Sequence, residues 1–227
     1  MTFFRRFVWM FVSPSRVFDD IRERRVGWVQ PWIIVSVFYV LITWLGLPIQ
    51  RALLELNPSD MPSDQLDGQM AMMQKFAYVQ LVLAPAGVLV LALLIAGISY
   101  VLVTVLSKAA TFKQYFTMTL FVDIVGVVGY LLTTAIVRLR GVDAIAVPDD
   151  ARFSLSLRML APEDSAALKG LFGTIEFFAI WSFILMVMGL RRVFGLSTGA
   201  AIACLVPVWL VYAALAILGE MFGGMSG

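Results

Sequence analysis

The sequence predicts an all-α protein, a polytopic membrane helical bundle of about five transmembrane helices with an N-terminal amphipathic interfacial segment. Hydrophobic residues make up 61% of the 227 residues and charged residues only 14%, whereas a soluble domain is about 45–50% apolar and about 25% charged. Mean hydropathy is +0.91, and the charges lie in short blocks between long apolar runs. A helix needs about 20 apolar residues to cross about 30 Å of hydrocarbon, and five runs approach that length.

The first element is a cytoplasmic amphipathic segment at residues 1–27. Its apolar side chains recur at helical spacing before and after Ser13-Pro14, which places them on one face of two short helices. The apolar positions are Phe3, Phe4, Phe7, Val8, Phe11, Val17, Phe18 and Ile21. Interfacial basic residues edge this face: Arg5, Arg6, Arg22, Arg24 and Arg25. Such a segment is typical of a helix lying near anionic headgroups, but packing on the protein's own bundle would use the same stripe, and both readings stay open.

A single transmembrane domain is predicted at residues 28–222, followed by a short tail at 223–227. Its spans are expected near residues 31–48, 78–106, 115–137, 171–190 and 196–218. Long loops are expected at 49–76 and 138–170. Within the second loop, residues 152–160 alternate like a short strand, and Pro162 is expected to begin a helix.

Two connections are short enough to make their flanking helices antiparallel neighbours. Thr111 and Gln114 are spaced to close a capping box at the start of the third span. Gly195 is placed to end the fourth span, and Ser197 is placed to cap the fifth.

The orientation follows from the basic residues of the loops. The side that includes the N-terminus carries ten basic and three acidic residues, against seven basic and ten acidic residues on the other side. The positive-inside rule therefore predicts a cytoplasmic N-terminus and a periplasmic or exterior C-terminus. Thirteen arginines against four lysines and a single asparagine are typical of a GC-rich bacterial genome, which favours the bacterial inner membrane.

Two acids inside predicted spans, Asp123 and Glu176, are the candidate functional residues, because an ionisable group in hydrocarbon is costly and is by default a functional candidate. A hydrogen-bonded structural role and an ion or proton pathway are both open.

Pro85 and Pro207 each remove one backbone hydrogen bond and are expected to kink their helices for packing. Two small-residue patches, Gly195 and Gly199 with Ser197 and Ala201, and Gly126 with Gly129, are expected to let helices approach closely, either within the chain or between copies.

The composition argues against ordinary enzymes. Histidine is absent and Cys204 is the only cysteine, which removes the commonest general base and the usual ligands of zinc and haem. We find no Gly-rich phosphate loop and no nucleophile–base set. We therefore expect no enzymatic activity, no catalytic residue, no metal and no cofactor.

Three stretches carry short motifs: FVSPSRVFDDIRERRVGWVQPWIIV before and into the first span, TFKQYFTMTLFVDIVGVVGYLL in the third, and WSFILMVMGLRRVFGLSTGAAIA across the last turn. Together they resemble the Yip-domain family of membrane proteins in its bacterial form. The resemblance implies five spans with a cytosolic N-terminus. Eukaryotic relatives bind Rab-type GTPases, but this chain lacks their Asp-Leu-Tyr-Gly-Pro motif, and Gly129-Tyr130 is not followed by proline, so a GTPase partner is not expected here.

The expected function is a membrane-organising or partner-binding scaffold of Yip type. Its partners would be the lipid bilayer and other membrane proteins or further copies of itself, with no nucleic acid. The alternative is a small transporter or channel in which Asp123 and Glu176 line the path.

Overall fold

The computed structural model describes residues 3–56, 63–107, 111–146, 148–151, 153, 155–162 and 165–223. These residues form eight α-helices: α1 Phe3–Val12, α2 Pro14–Arg22, α3 Val29–Leu56, α4 Ser63–Leu106, α5 Phe112–Arg140, α6 Ala166–Gly173, α7 Phe177–Phe194 and α8 Thr198–Gly223. Short 3-10 turns lie at Val142–Ala144, Pro148–Ala151 and Leu157–Leu160. Within the described ranges there is no β-strand, and the fold is 88% helical.

Five of these helices are long and apolar enough to cross a membrane. The candidate spans are Val29–Leu53, Lys75–Leu106, Phe112–Arg140, Phe177–Phe194 and Thr198–Phe222. They carry many exposed apolar side chains, such as Ile98 at 73% and Leu215 at 63%, which suits a surface solvated by lipid. The predicted all-α polytopic bundle is confirmed.

The first long loop is mostly helical, unlike the prediction. α3 continues through Pro48 to Leu56, and α4 begins at Ser63, so that α4 is 44 residues long. An uncharged run marks the part of a helix that lipid can surround, but charged residues do not end a helix. The residues around 51–56 and 69–75 are mainly Leu, Ala, Met, Gln, Glu, Arg and Lys, all of which favour the helix.

The second long loop also differs from its prediction. Ser156 pairs with Glu176 in an isolated bridge and residues 157–160 form a 3-10 turn, while positions 152 and 154 of the expected strand lie outside the described residues. The helix expected from Pro162 begins at Ala166, capped by the Ser165 hydroxyl, which accepts from the Leu168 N–H at 3.3 Å.

The caps predicted at Gly195 and Ser197 are present, and the capping box predicted at Thr111 and Gln114 is half formed. Gly195 is left-handed with φ 69°, and its N–H and that of Leu196 donate to the last carbonyls of α7, as in a Schellman turn. Ser197 accepts from the Ala200 N–H at 3.2 Å. Thr111 accepts from the Gln114 N–H at 3.4 Å, which is the expected half of the capping box.

The chain divides into two compact units. The first comprises residues 1–31, 91–126 and 154–227. Within it α2 packs on α7, and α6 and α7 pack on α8. Among the described glycines, Gly170 of α6 comes nearest to the backbone of another helix: a methyl group there would lie 2.7 Å from the Cα of Ile217.

The second unit comprises residues 32–90 and 127–153. Its buried core joins Ile49 of α3, Val137 of α5 and Ile145 of the following loop, with Phe153 packed against it. The guanidinium of Arg140 lies 4.8 Å from the ring centre of Phe153.

Candidate functional site: the N-terminal helices and the membrane-embedded acids

The apolar face of α1 is divided between the protein and its surroundings. Met10 is buried, and Phe7 and Phe11 are half-buried, with the Phe11 ring 6.3 Å from that of Trp181 on α7. Three apolar side chains of α1 point outward: Phe4 is 71% exposed, Val8 38% and Val12 72%. We call Phe4, Val8 and Val12 the outer stripe. The spacing of four residues places them in one line along the helix.

Arginines flank the outer stripe. The guanidinium of Arg5 on α1 lies 4.6 Å from the Trp9 ring centre, and that of Arg16 on α2 lies 4.8 Å from the same ring. An indole ring stacked by two cations stabilises both charges near the stripe. The outward face of α1 therefore combines exposed apolar side chains with positive charge.

Arg6 is turned inward and has a structural partner. Its Nε donates to Asp20 Oδ2 at 2.9 Å and its Nη1 donates to Gln30 Oε1 at 2.9 Å. Arg6 is 5% exposed and Asp20 is 3% exposed. Breaking a buried pair leaves an uncompensated charge and costs about 3–5 kcal/mol, so this pair fixes α1 to α2.

α2 is in turn fixed to the spans of its unit. Val17, Phe18 and Ile21 are buried, and Arg192 at the end of α7 donates two hydrogen bonds to Asp19, at 2.7 and 2.9 Å. These hydrogen bonds hold the pKa of Asp19 below its ordinary value, against the smaller opposing effect of burial. Gln114 does not complete the capping box but donates to the carbonyls of Ile21 and Arg22 at 3.2 and 3.1 Å.

The remaining interfacial arginines lie at the end of α2. Arg22, Arg24 and Arg25 are all exposed, and Arg25 pairs with Glu23 and lies 3.9 Å from Asp20. Of the five arginines assigned to the interface, only Arg6 lies inside the protein. Helical periodicity alone does not show that Arg6 is buried while the adjacent Arg5 is exposed.

Asp123 lies on α5 and faces α7. Its Oδ1 and the Ser182 hydroxyl both come within 4.0 Å of where a methyl group on Gly126 would be. Asp123 is half-buried, and its carboxyl group and the Ser182 hydroxyl border the same space next to Gly126. This neighbourhood suits either a hydrogen-bonded structural acid or a proton-carrying one.

Glu176 lies outside the span in which the sequence placed it. It is the N-cap residue of α7, which begins at Phe177, and its backbone pairs with Ser156. Burial raises the pKa of the Glu176 carboxyl. Ser182 is six residues further along α7, a rise of about 9 Å at about 1.5 Å per residue. Among the described residues no hydrogen bond joins the carboxyl groups of Asp123 and Glu176.

Both span prolines lie inside continuous helices, Pro85 in α4 and Pro207 in α8. The carbonyl of Pro85 accepts a hydrogen bond from the Trp32 indole N–H at 3.0 Å. Pro85 thus marks a point where α3 is tied to α4. The kinks themselves stay predictions.

Sequence reasoning missed the residues that attach the N-terminal helices: Asp20, Gln114 and Arg192. In the sequence, Asp20 lies two residues before Arg22 and has the pattern of a solvent-exposed acid; only tertiary packing pairs it with Arg6.

The glycines at close helix contacts are Gly170 and Gly189, whereas Gly199 has nothing within 4 Å of the position that a methyl group would take. Among the described residues, no three Cys, Asp or Glu side chains come together where they could hold a metal ion.

Five apolar helices, with a basic N-terminal pair that packs on one of them, α7, define a polytopic α-helical membrane protein. The chain belongs to the Yip1 domain family, which matches residues 9–219, as its resemblance predicted. It is similar to membrane protein YknW of Bacillus subtilis (strain 168), with 26% identity over 222 residues that cover 95% of this chain and 90% of that protein. No solved structure matches it.

Proposed function

We propose that the protein is a non-enzymatic membrane-organising scaffold whose working surface is the outward face of α1. The observation that carries the proposal is the outer stripe, three exposed apolar residues edged by Arg5 and the Arg16–Trp9 stack. A Val or Phe side chain contributes about 1.5–3 kcal/mol when fully removed from water. Three of them are enough to keep a helix at the acyl boundary when its other face is already attached to the protein.

The attachment supports a scaffold rather than a free anchor. Because Arg6 and Asp20 join α1 to α2, and Arg192 joins α2 to α7, force applied to the outer stripe is transmitted to the spans. A helix wedged among headgroups and held in a fixed place can bias lipid packing around the protein. The same surface can carry a partner membrane protein.

The basic balance of the loops supports an N-terminus in the cytoplasm, in a bacterial inner membrane. In that orientation α1 faces the leaflet whose anionic lipids attract arginine. A cytoplasm-active reporter fused after Gly227 should be silent, since five crossings place that end outside. A bright reporter would mean an inverted or even-numbered topology and would contradict this part of the proposal.

Reconstitution tests the scaffold proposal. The chain and its Phe4→Ser/Val8→Ser/Val12→Ser variant would be placed in phosphatidylethanolamine–phosphatidylglycerol vesicles at rising protein-to-lipid ratio, and vesicle size would be measured by electron cryomicroscopy. With the wild-type chain, the distribution of vesicle diameters should become narrower as the protein-to-lipid ratio rises. With the variant, it should not change.

A matched control replaces three exposed apolar residues elsewhere in the same unit, Leu157, Met159 and Leu160, by serine. That control should behave like the wild type. If the wild-type chain and the stripe variant had equal thermal stability and the same effect on vesicle size, the outward face of α1 would not be the working surface.

A transporter is the second candidate, favoured by the position of Asp123 within a candidate span, where its carboxyl group and the Ser182 hydroxyl border the same space next to Gly126. The test is flux of protons or cations into vesicles that carry the wild-type chain or its Asp123→Asn/Glu176→Gln variant. Flux that the wild type supports and the variant lacks would replace the scaffold with a transporter. A scaffold gives no flux in either case.

A further inference from the structure

A cavity of about 370 Å³ lies between the end of α2 and the start of α5. Its walls come from Ile21, Val26 and Gly27 on one side and Thr111, Gln114 and Thr117 on the other, and three basic residues complete the lining: Arg24, Arg25 and Lys113. Small-molecule sites in proteins commonly enclose about 300–1,000 Å³. The cavity is therefore large enough for a phosphate with the alcohol esterified to it.

Two of the three positive charges that line the cavity have no acidic partner among the described residues. Arg25 pairs with Glu23, and the nearby Asp20 is held by Arg6. In the part of the chain that the structure describes, Arg24 and Lys113 form no salt bridge, and no acid lines the cavity. Two cations therefore face one concave site without a counter-charge.

Polar uncharged lining residues already have partners within the protein. Gln114 joins the two walls by donating to the carbonyls of Ile21 and Arg22. The Thr117 hydroxyl donates within α5 to the Lys113 carbonyl at 2.7 Å. The charged tips of Arg24 and Lys113 remain as donors for a ligand.

Arg24 has the only left-handed backbone among the described residues other than glycine, with φ 58°. Its N–H donates to the Ile21 carbonyl at 3.1 Å, and the next N–H donates to the Asp20 carbonyl at 2.8 Å. A side chain with a Cβ is strained in this conformation, where glycine is relaxed. These two bonds form the Schellman turn that ends α2, so Arg24 stands in the position that glycine usually takes.

We propose that this cavity binds a phosphate-bearing anion, with Arg24 and Lys113 as its ligands. A guanidinium fork and an ammonium group match the several oxygens of a phosphate, and Ile21 and Val26 suit the carbon chain of its ester. The ligand is either an anionic phospholipid headgroup or a soluble phosphate ester. The cavity adjoins Phe112, where a span begins, so headgroups are within reach. The inference goes beyond the scaffold function and does not depend on it.

Binding can be measured on the full chain in uncharged maltoside detergent by the rise in unfolding temperature. The probes are dihexanoyl phosphatidylglycerol, glycerol 1-phosphate, inorganic phosphate and, as a zwitterionic reference, dihexanoyl phosphatidylcholine. A ligand that binds only the folded chain raises its stability with concentration. Phosphatidylglycerol acting alone identifies a lipid site, whereas equal effects of the water-soluble phosphates identify a soluble ligand.

Two cavity variants and one matched control separate recognition from general charge. Arg24→Gly should raise the unfolding temperature of the ligand-free chain because it relieves the backbone strain, yet weaken binding about tenfold through loss of a charge-assisted contact. Lys113→Gln should weaken binding similarly. Arg191→Gln removes one positive charge from an exposed position outside the cavity and should leave binding unchanged.

Two results would overturn the proposal. One is that no phosphate-bearing probe raises the unfolding temperature more than phosphatidylcholine does. The other is that Arg191→Gln weakens binding as much as Arg24→Gly and Lys113→Gln, which would mean attraction to net charge. Because the Arg24→Gly variant is expected to be the more stable protein, its loss of binding cannot be attributed to misfolding.

Discussion

At the scale of single residues, Gly170 is the position where substitution is most restricted. A methyl group there would lie 2.7 Å from the Cα of Ile217 and 2.9 Å from the carbonyl oxygen of Ala216, both backbone atoms that cannot rotate away. Gly170→Ala should lower the free energy of unfolding by about 1–3 kcal/mol, as overpacking does elsewhere. Thermal unfolding in detergent measures this.

Two other glycines calibrate that prediction. Gly189→Ala meets the Sδ of Met118 at 2.5 Å, and because this side chain is flexible, the loss should be smaller. Gly199→Ala meets nothing within 4 Å and should leave the unfolding temperature unchanged or raise it, since alanine favours the helix. A Gly170→Ala protein as stable as Gly199→Ala would contradict the close contact of α6 with α8.

The Arg6–Asp20 pair gives a second prediction at this scale. Arg6→Met should destabilise the protein by about 3–5 kcal/mol because Asp20 is left charged and buried. Adding Asp20→Leu to the same chain should recover much of the loss, which chemical unfolding of the single and double variants measures. Arg5→Met, a change of the same type at an exposed neighbour, should cost less than about 1 kcal/mol. An equal loss of stability in Arg5→Met and Arg6→Met would contradict the burial of the Arg6–Asp20 pair.

At the scale of elements, the docking of α2 on α7 should weaken in acid. Hydrogen bonds from Arg192 place the pKa of Asp19 below its ordinary value of 3.8, so the folded state holds this carboxylate charged more readily than the unfolded state does. Its stabilising contribution is complete above pH 3.8 and is lost as the pH falls through the lower, folded value. Amide exchange in α2, corrected for intrinsic rates, should accelerate across that range.

The control for this experiment is built from two asparagine variants. Asp19→Asn should show the faster α2 exchange already at neutral pH and lose the acid dependence. Asp143→Asn, at an exposed acid of a 3-10 turn, should resemble the wild type. An acid response of α2 that persists in Asp19→Asn would assign the titration to another group.

Prediction from sequence succeeded for elements where a local pattern determines structure. Apolar runs marked all five spans, and the caps at Ser197 and Gly195 follow from chemistry within one helical turn. It failed where structure depends on distant residues or on helix propensity in charged segments. Helix propensity in charged segments explains why the C-terminal end of α3 and the start of α4 were missed. The partners of Arg6 and Gln114 were missed because they lie 14 and about 93 positions away in the sequence.

At the scale of the whole molecule, the account holds that lipid surrounds the five spans and that the outer stripe of α1 lies in the same lipid. The two readings of the N-terminal segment, packing on the bundle and lying in the interface, prove compatible in geometry. The inner face of α1 packs on α2 and α7, and its outer face is exposed and free to contact lipid. The contact of the outer face with lipid has to be tested in a membrane.

The most direct test is the depth of the outer stripe in a bilayer. Nitroxide labels at single cysteines replacing Val8 or Val12, in a Cys204→Ser background, would be placed in phosphatidylethanolamine–phosphatidylglycerol vesicles. Collision rates with oxygen and with a water-soluble nickel chelate would be compared by electron paramagnetic resonance. Labels at Ile98 in a span and at Met159 in an exposed loop supply the lipid and water references. The account predicts that both stripe labels favour oxygen as Ile98 does; labels that collide with nickel as freely as Met159 would contradict it.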